Sequence, residues 1–405
     1  MQQNFPFGKF CLDGKGRLAS NSRMQTGQTS AQPTSSWFER LLLPGFAFKA
    51  VIIGGGYATG RELAEFFGPS GARGGLYGML VAMAVWSVIC ALTFLYARAT
   101  GTRDYRSFFR HLLGPFWPVF EIVLLSLFVL MLAVFSAAAG AIGAALFGAP
   151  PLAGQLALML SIAGFVAYGS ESVERLFKWV SFVLYGTYAV FLALSIWRFG
   201  DQIVESLSIP AQGVGWIGDG LSYAGYNAIG AVVILYIVRH FATPRDAVTG
   251  GLLCGPLAML PAMLFFLALA ALPAAMQAEL PSDYLLERLN VPFFPYFYQA
   301  MIFLALLESG AGAVHAINER IGHVAEHRGR SFGVRPRLAV ALAVLVFTGF
   351  VAQSFGLVTL IASGYRYISY AILAVFVAPL LTLGVWRLWQ WRSQPEGLAP
   401  DAGQL

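Results

Sequence analysis

Two ionisable residues inside long apolar stretches have the strongest potential for chemistry, and Glu308 is the first of them. It lies near the middle of an apolar run, about 20 Å of helix from either end of that run. A charged group at that depth costs about 3 kcal/mol to insert into a membrane, so it must be compensated. Glu308 is either a structural carboxyl, protonated or buried by protein partners, or a binding site for a coupling ion, Na+ or H+. We favour the coupling-ion interpretation.

Arg366 is the second such residue, about 13 Å along the helix from the end of another apolar run. A guanidinium at that depth needs a partner. Three charged residues of the first apolar run, Arg61, Glu62 and Glu65, follow a glycine-rich segment by one to two helical turns. We expect Arg366 to pair with Glu62 or Glu65 and so to form a gate. Static packing, or snorkelling of Arg366 to the membrane surface, is the alternative.

The glycine-rich segment is itself a candidate binding site. Gly54, Gly55 and Gly56 follow one another, and Tyr57 and Thr59 come directly after them. Glycine costs about 1 kcal/mol per residue in a helix interior, so a helix comes apart most easily at this point. Close packing of two helices through small residues is the alternative.

A second interruption is expected at residues 222–228, about 170 residues later. This segment contains Tyr223, Gly225, Tyr226 and Asn227. Unwound backbone at either segment exposes N–H groups that suit a carboxylate and carbonyl groups that suit a cation. The two segments therefore predict a binding site for a small amphoteric solute, such as an amino acid, at the middle of the membrane.

Long apolar runs supply the elements that position these residues. The 405 residues are 58% hydrophobic and 11% charged, with a mean hydropathy of +0.68, which excludes a soluble globular protein. The runs are continuously apolar and long enough to cross about 30 Å of hydrocarbon, so they are helices rather than barrel strands. They occupy residues 38–67, 74–97, 115–147, 152–169, 174–197, 217–238, 247–273, 295–318, 338–354 and 357–386. The sequence predicts an all-α integral membrane protein of about ten transmembrane helices, with a 5+5 inverted repeat and interruptions in helices 1 and 6.

Basic residues predict the orientation of these helices. Arginine and lysine cluster in the loops that follow even-numbered spans, as at Arg106 and Arg245, and the opposite loops are neutral or acidic. Because cytoplasmic loops carry an excess of basic residues, we expect a multi-pass protein with both termini in the cytoplasm. We expect a disordered cytoplasmic tail at 1–36, a transporter domain at 37–392 with halves 37–198 and 216–392, and a cytoplasmic tail at 393–405.

A family resemblance rests on residues 54–63, GGGYATGREL, with the phenylalanines at 66 and 67. This motif resembles the first helix of YkvI-type bacterial membrane proteins, which are similar to the amino acid/polyamine/organocation superfamily with the LeuT fold. Residues 226–227, 356–361 and 364–365 add to the likeness, which covers residues 38–390 or so. The resemblance implies a bacterial inner-membrane transporter of amino acids. It also implies a bundle of helices 1, 2, 6 and 7 that moves against a scaffold of helices 3, 4, 8 and 9.

The same resemblance bears on the coupling ion. In sodium-coupled members with this fold, hydroxyl residues of helix 8 meet the unwound part of helix 1, which implies that Ser309 joins Glu308 in the ion site. Glu308 departs from the hydroxyl pair of those members, so Na+ and H+ both stay open.

These observations predict an ion-coupled secondary transporter that works by alternating access. A transport-inactive membrane sensor or accessory subunit with the same fold is the alternative. The sequence has no phosphate-binding loop, metalloprotease motif or hydrolase elbow, so we expect no enzyme activity. We expect no cofactor or bound metal beyond the coupling ion. The expected partners are a small-molecule substrate and the lipid bilayer, not nucleic acid, because the basic residues lie in separate loops; the oligomeric state stays open.

Overall fold

The computed structural model describes residues 36–52, 55–168, 171–211, 213–327, 329 and 332–393. All regular secondary structure in these residues is helical, which confirms the predicted all-α class. Gly54 and nearly all of the two predicted tails lie outside the described residues.

Within the described residues, the helices follow the ten predicted spans. Helix 1 is divided into α1a (Leu43–Ile52) and α1b (Arg61–Phe67), and helix 6 is divided into α6a (Gly215–Asn227) and α6b (Gly230–Val233). The other helices of the first eight spans are α2 (Gly71–Thr100), α3 (Trp117–Phe147), α4 (Pro151–Tyr168), α5 (Glu171–Ser208), α7 (Pro244–Ala270) and α8 (Phe294–His327). Six continuous helical stretches of the described residues have the length and apolarity to cross a membrane. One of these contains spans 9 and 10 together; spans 1 and 6 are broken, and span 4 is short.

Spans 9 and 10 form a hairpin, α9 (334–355) and α10 (357–393), around Gly356. Gly356 has φ 70° and ψ 166°, a conformation that glycine adopts easily and that ends the helical path. As one straight helix, residues 334–391 would extend about 87 Å, nearly three times the hydrocarbon thickness. Arg337 near one end pairs with Glu319, and Arg387 near the other end donates to the hydroxyl of Tyr96. Since α8 and α2 both end on the side of the basic loops, both ends of the hairpin lie on that side.

The helices pack in two groups. Helices α2 and α7 pack against each other, and α1a and α6a pack on this pair. A second group consists of α3, α4, α8 and α9, each in contact with the others. The grouping agrees with the bundle and scaffold that the resemblance implies. Movement of one group against the other stays a prediction.

Capping residues fix the beginning of helix 1 on the basic side. The Ser36 hydroxyl and the Glu39 carboxylate form a capping box at its first turn, and Thr243 with Asp246 forms another at the first turn of α7. Arg40 lies 3.8 Å from the Asp246 carboxylate and joins the two helix starts. The first half of helix 1 therefore packs against α7.

Candidate functional site

Helix 1 breaks at Thr59 and Gly60, next to the predicted glycine segment. Gly60 has φ +79°, so the helical hydrogen-bond ladder cannot continue through it. The Ala58 carbonyl accepts a hydrogen bond from the Tyr298 hydroxyl at 3.1 Å, and the Thr59 carbonyl accepts one from the Ser282 N–H at 3.0 Å. Neighbouring protein groups thus satisfy these two carbonyls, as buried backbone in a membrane requires.

Helix 6 breaks one turn later than the sequence predicts. The expected interruption at 222–228 is regular helix as far as Asn227, and the break lies at Ala228 and Ile229. Glycine weakens a helix but does not end it, and close packing holds this stretch in helical form. The N–H groups of Ile229 and Gly230 donate to no carbonyl within the part of the chain that the structure describes. Among the described residues, these two backbone donors at the break thus have no carbonyl partner.

Gly225 provides close approach between α6a and α10. A side chain on this glycine would overlap the hydroxyl oxygen of Ser369 and lie 2.9 Å from Leu373. The Ser369 hydroxyl donates to the Ser222 carbonyl at 2.6 Å, which fixes the contact. Gly225 thus has a packing role, and its predicted contact with substrate stays a prediction.

Glu62 lies at the seam between α1b and α6a. Its side chain is 6% exposed, and it accepts a hydrogen bond of 2.6 Å from the hydroxyl of Tyr226. No described basic side chain lies within 4.0 Å of its carboxylate. The Tyr226 ring is stacked on that of Tyr365 in α10, with centroids 4.5 Å apart. Residues from helices 1, 6 and 10 therefore meet around one buried carboxyl.

The predicted aromatic residues have different hydrogen-bond and packing partners. The Tyr223 ring packs against Phe66 and Phe67 of α1b. The Tyr57 hydroxyl lies 3.3 Å from that of Tyr188 in α5. The structure therefore brings Tyr226 into a hydrogen bond with Glu62 and packs Tyr223 beside it, whereas the hydroxyl of Tyr57 bonds to α5.

Asn227 and the predicted glycines have more local surroundings. The Asn227 amide donates back to the Tyr223 carbonyl of its own helix at 3.1 Å. Gly55 and Gly56 belong to a single helical turn, Gly55–Ala58, between the two halves of helix 1. The substrate-binding role of these residues stays a prediction.

Arg61 fastens α1b to the segment between α7 and α8. Its guanidinium donates to the carbonyls of Met276 and Ala278 at 3.0 and 2.9 Å, and to the Glu65 carboxylate at 2.8 Å. Only 7% of the Arg61 side chain is exposed. A buried arginine with three such partners is costly to separate from them.

Arg366 pairs with Asp219 of α6a rather than with Glu62 or Glu65, so the expected partner is wrong. Its guanidinium lies 3.1 Å from the Asp219 carboxylate and 5.6 Å from the centre of the Phe66 ring. The direction of the side chain depends on the rotation of α10, which a count of residues along a span does not give. Arg61 and Arg366 nevertheless close the same side of the molecule, opposite the basic loops, and their gating role stays a prediction.

Glu308 lies nearer the basic side than the break in helix 1. Tyr298 contacts the break at Ala58, and Glu308 is ten residues further along α8, about 15 Å. Glu308 and Ser309 are both half-buried. The Glu308 carboxylate lies close enough to Tyr185 of α5 for the two side chains to interact electrostatically. The Lys49 ammonium of α1a lies 4.9 Å from the centre of the same tyrosine ring. Lys49, Tyr185 and Glu308 therefore lie near one another, between the break in helix 1 and the basic side.

A polar stripe continues from Glu308 toward the basic side. Gly312, His315 and Glu319 follow at helical spacing on the same face of α8, and all three are exposed. A side chain at Gly312 would meet no described atom within 4 Å. Ionisable groups within a membrane face a water-filled space or protein rather than lipid. We infer that water reaches Glu308 along this face.

This stripe ends beside a cavity on the basic side. The cavity has a volume of about 410 Å³, and Glu319, Arg320 and Arg337 contribute to its wall. Arg320 is held by Glu121 of α3 at 2.7 Å. Glu319 therefore belongs both to the polar stripe and to the wall of this cavity.

Several residues of the closed side were not predicted from the sequence. Asp219 was the one with a signal, because it is an acid in the first turn of span 6, on the same side of the membrane as the end of span 10 that lies nearest Arg366. The tyrosine hydroxyl of Tyr298 and the backbone groups of Met276, Ala278 and Ser282 have no sequence signal, since any residue supplies a carbonyl or an N–H.

No family model matches the chain, but its sequence is similar to that of another membrane protein. It is 22% identical over 346 residues to the uncharacterized membrane protein YkvI of Bacillus subtilis, covering 83% of this chain and 94% of that protein.

Solved structures give a second comparison. A manganese transporter of Eremococcus coleocola, in complex with an aromatic bis-isothiourea substituted compound, is 16% identical, with a TM-score of 0.50 over 86% of this chain and 81% of that one. Mhp1 in its inward-facing conformation is 14% identical, with a TM-score of 0.51 over 82% and 76% of the two chains. The chain is therefore an all-α membrane protein with the fold of the LeuT-fold transporters.

Proposed function

We propose that the chain is an ion-coupled secondary transporter of an amino acid or a related amphoteric solute. The observation that carries this proposal is the pair of broken helices, covered by paired side chains on one side and bordered by an exposed polar face of α8 on the other. A solute site that is accessible from one side at a time is the requirement of alternating access.

The chemistry near the breaks supports an amphoteric solute. The N–H groups of Ile229 and Gly230 and the ammonium of Lys49 are donors for a carboxylate. The carboxylate of Glu308 is an acceptor for an amine or a coupling ion, with Ser309 beside it. Opposite charges that do not pair with each other are suited to a ligand that carries both.

We further propose that the protein lies in a bacterial inner membrane with its basic loops in the cytoplasm. The open side then faces the cytoplasm, and the described conformation is the one that exchanges solute with it. The narrower placement in the amino acid/polyamine/organocation superfamily stays a prediction, as does the choice between Na+ and H+.

A ligand screen tests the proposed function. Thermal unfolding of the full chain in detergent should be measured with amino acids, polyamines, nucleobases and Mn2+, in Na+ and in K+ buffers. A ligand at a hundred times its Kd stabilises the folded state by about 2.7 kcal/mol, which is readily detected. The hit should then be taken up into proteoliposomes against its own gradient when an ion gradient is imposed. Stabilisation without flux would identify the sensor alternative instead.

A further inference from the structure

Glu62 is the most deeply buried carboxyl of the closed side, and its partners differ from those of the acids around it. Glu65 is neutralised by Arg61 at 2.8 Å, and Asp219 is neutralised by Arg366 at 3.1 Å. Glu62 has a single uncharged donor, the Tyr226 hydroxyl at 2.6 Å. Burial without a cation favours the neutral, protonated form of a carboxyl.

The elements packed against Glu62 offer rings and hydroxyl groups rather than charges. Its titratable neighbours on helices 1, 6 and 10 are tyrosines, namely Tyr57, Tyr223, Tyr226 and Tyr365. Phe265 of α7 packs on Tyr57, and Trp86 of α2 packs on Tyr223. Phe266 of α7 packs on Phe67 of α1b. The nearest cations, Arg61 and Arg366, already bind other carboxylates. Asp283, in the segment that closes over the break, accepts a hydrogen bond from Gln299.

A proton suits this site better than a metal ion. Hard cations bind through sets of oxygen ligands, whereas Glu62 has one hydroxyl beside it and aromatic rings around it. The protonated carboxyl keeps the Tyr226 bond through its carbonyl oxygen and carries no charge into the buried seam.

We propose that Glu62 binds and releases a proton during the transport cycle, and that this proton controls the seam between α1b and α6a. This inference rests on the proposed function, because it names the ion that such a transporter would use. Glu62 is protonated while the seam is closed. When the seam opens to water the carboxyl ionises, and the negative charge then opposes closure until a proton returns.

Seam opening can be measured without a solute. Ser222 is 2% exposed and lies one turn before Tyr226 on α6a. A Ser222→Cys variant of the full chain, in proteoliposomes, should react with an impermeant maleimide added to the side opposite the basic loops. The labelling rate is taken relative to that of an exposed cysteine on the same side, Glu287→Cys, measured at the same pH, so that ionisation of the thiol itself cancels. We expect this relative rate to rise with pH, by up to about tenfold per pH unit, the limit for release of one proton.

Glu62→Gln in the Ser222→Cys background should label slowly at every pH, because glutamine stays neutral and can still accept the Tyr226 bond. Glu279→Gln is the matched control, since Glu279 is an exposed acid on the same side; its labelling should keep the pH dependence of the parent. Unchanged pH dependence in Glu62→Gln would overturn the proposal, and so would fast labelling of that variant at every pH.

Infrared spectroscopy gives a second test that does not depend on opening. The full chain should have a protonated-carboxyl band at neutral pH that Glu62→Gln removes. Tyr226→Phe keeps the ring but removes the hydrogen bond, so it should shift this band to higher frequency. Persistence of the band in Glu62→Gln, or its loss in Glu308→Gln alone, would contradict the assignment. Because neither test uses a solute, both remain decisive if the ligand screen and the flux assay fail.

Discussion

The two halves of helix 1 lie in opposite environments. Around α1b, charged groups are buried and paired, as Arg61 is with Glu65 and two carbonyls. Around α1a, Lys49 and Glu308 are half-buried, and among the described side chains both lie near the ring of Tyr185 without forming an ion pair. The difference indicates that one helix, divided at a glycine, can be clamped at one end while the other end borders water.

The clamp consists of several polar contacts, and they involve backbone carbonyls at or near the break. Arg61, Ser282 and Tyr298 each satisfy or use backbone carbonyls that the break or the covering segment exposes. Groups that are buried together lose their partners together, so such contacts open cooperatively. This arrangement suits a gate that must be either closed or open.

Arg61→Ala should have the largest effect, because it removes the contacts that hold α1b against the covering segment. Loss of a buried arginine leaves the Glu65 carboxylate and two carbonyls unpaired, which costs the closed state about 3 to 5 kcal/mol. A cysteine placed at Ser282, which is fully buried, should then label rapidly from the side opposite the basic loops. Arg288→Ala, an exposed arginine of the same segment, is the control and should leave labelling slow. Equal labelling of the two variants would show that Arg61 does not close this side.

Glu308→Gln should weaken ion coupling on the side of helix 1 that borders water. If Glu308 binds the coupling ion, the variant should bind solute but lose 5- to 150-fold in ion-driven accumulation, about 1 to 3 kcal/mol of coupling. Glu319→Gln, on the same face of α8 but 52% exposed, should accumulate solute like the parent. Flattened pH dependence would assign H+ to Glu308, and loss of sodium stimulation would assign Na+. Normal accumulation in Glu308→Gln would make Glu308 a structural carboxyl and leave coupling to Glu62.

Gly225→Ala should destabilise the fold where α6a meets α10. The added methyl group collides with Ser369 and Leu373, and overpacking of this kind costs about 1 to 3 kcal/mol. Gly218→Ala in the same helix meets no neighbour within 4 Å and should gain up to about 1 kcal/mol in helix propensity. Thermal unfolding in detergent should therefore move in opposite directions for the two variants. A lower unfolding temperature for both would mean that helix packing does not explain Gly225.

Arg366→Ala should have the smallest effect, about 1 kcal/mol, because the arginine side chain is 35% exposed. A double-mutant cycle with Asp219→Ala should give a coupling energy, and cycles with Glu62→Gln or Glu65→Gln should give none. The cycles should be measured on seam opening, by labelling of Ser222→Cys. Coupling to Glu62 and not to Asp219 would restore the pairing that the sequence suggested.

Hydropathy and charge were sufficient to predict the helices, since membrane insertion constrains composition along every span. A break in helix 1 was predicted close to its place, but it lies at Thr59 and Gly60, whereas Gly55 and Gly56 belong to a helical turn. Adjacent glycines weaken a helix, and the left-handed conformation of Gly60 is what ends it. The break in helix 6 was misplaced by a turn, since close contact with Ser369 holds Gly225 in the helix. The direction of side chains could not be predicted from the sequence. The rotation of α10 about its axis decides whether Arg366 meets Asp219 or Glu62, and the periodicity of an apolar span does not give that rotation.

We infer that the protein in this conformation is closed on one side of the broken helices and open on the other. A comparison of Gly312→Cys with Ser282→Cys in the full chain, with impermeant maleimide added to either side of proteoliposomes, tests this inference. Gly312 is exposed with free space around it, and Ser282 is fully buried under the clamp. We expect Gly312→Cys to label quickly from the basic side alone and Ser282→Cys to label slowly from both sides. Rapid labelling of Ser282→Cys from the opposite side, or no labelling of Gly312→Cys from the basic side, would contradict the account.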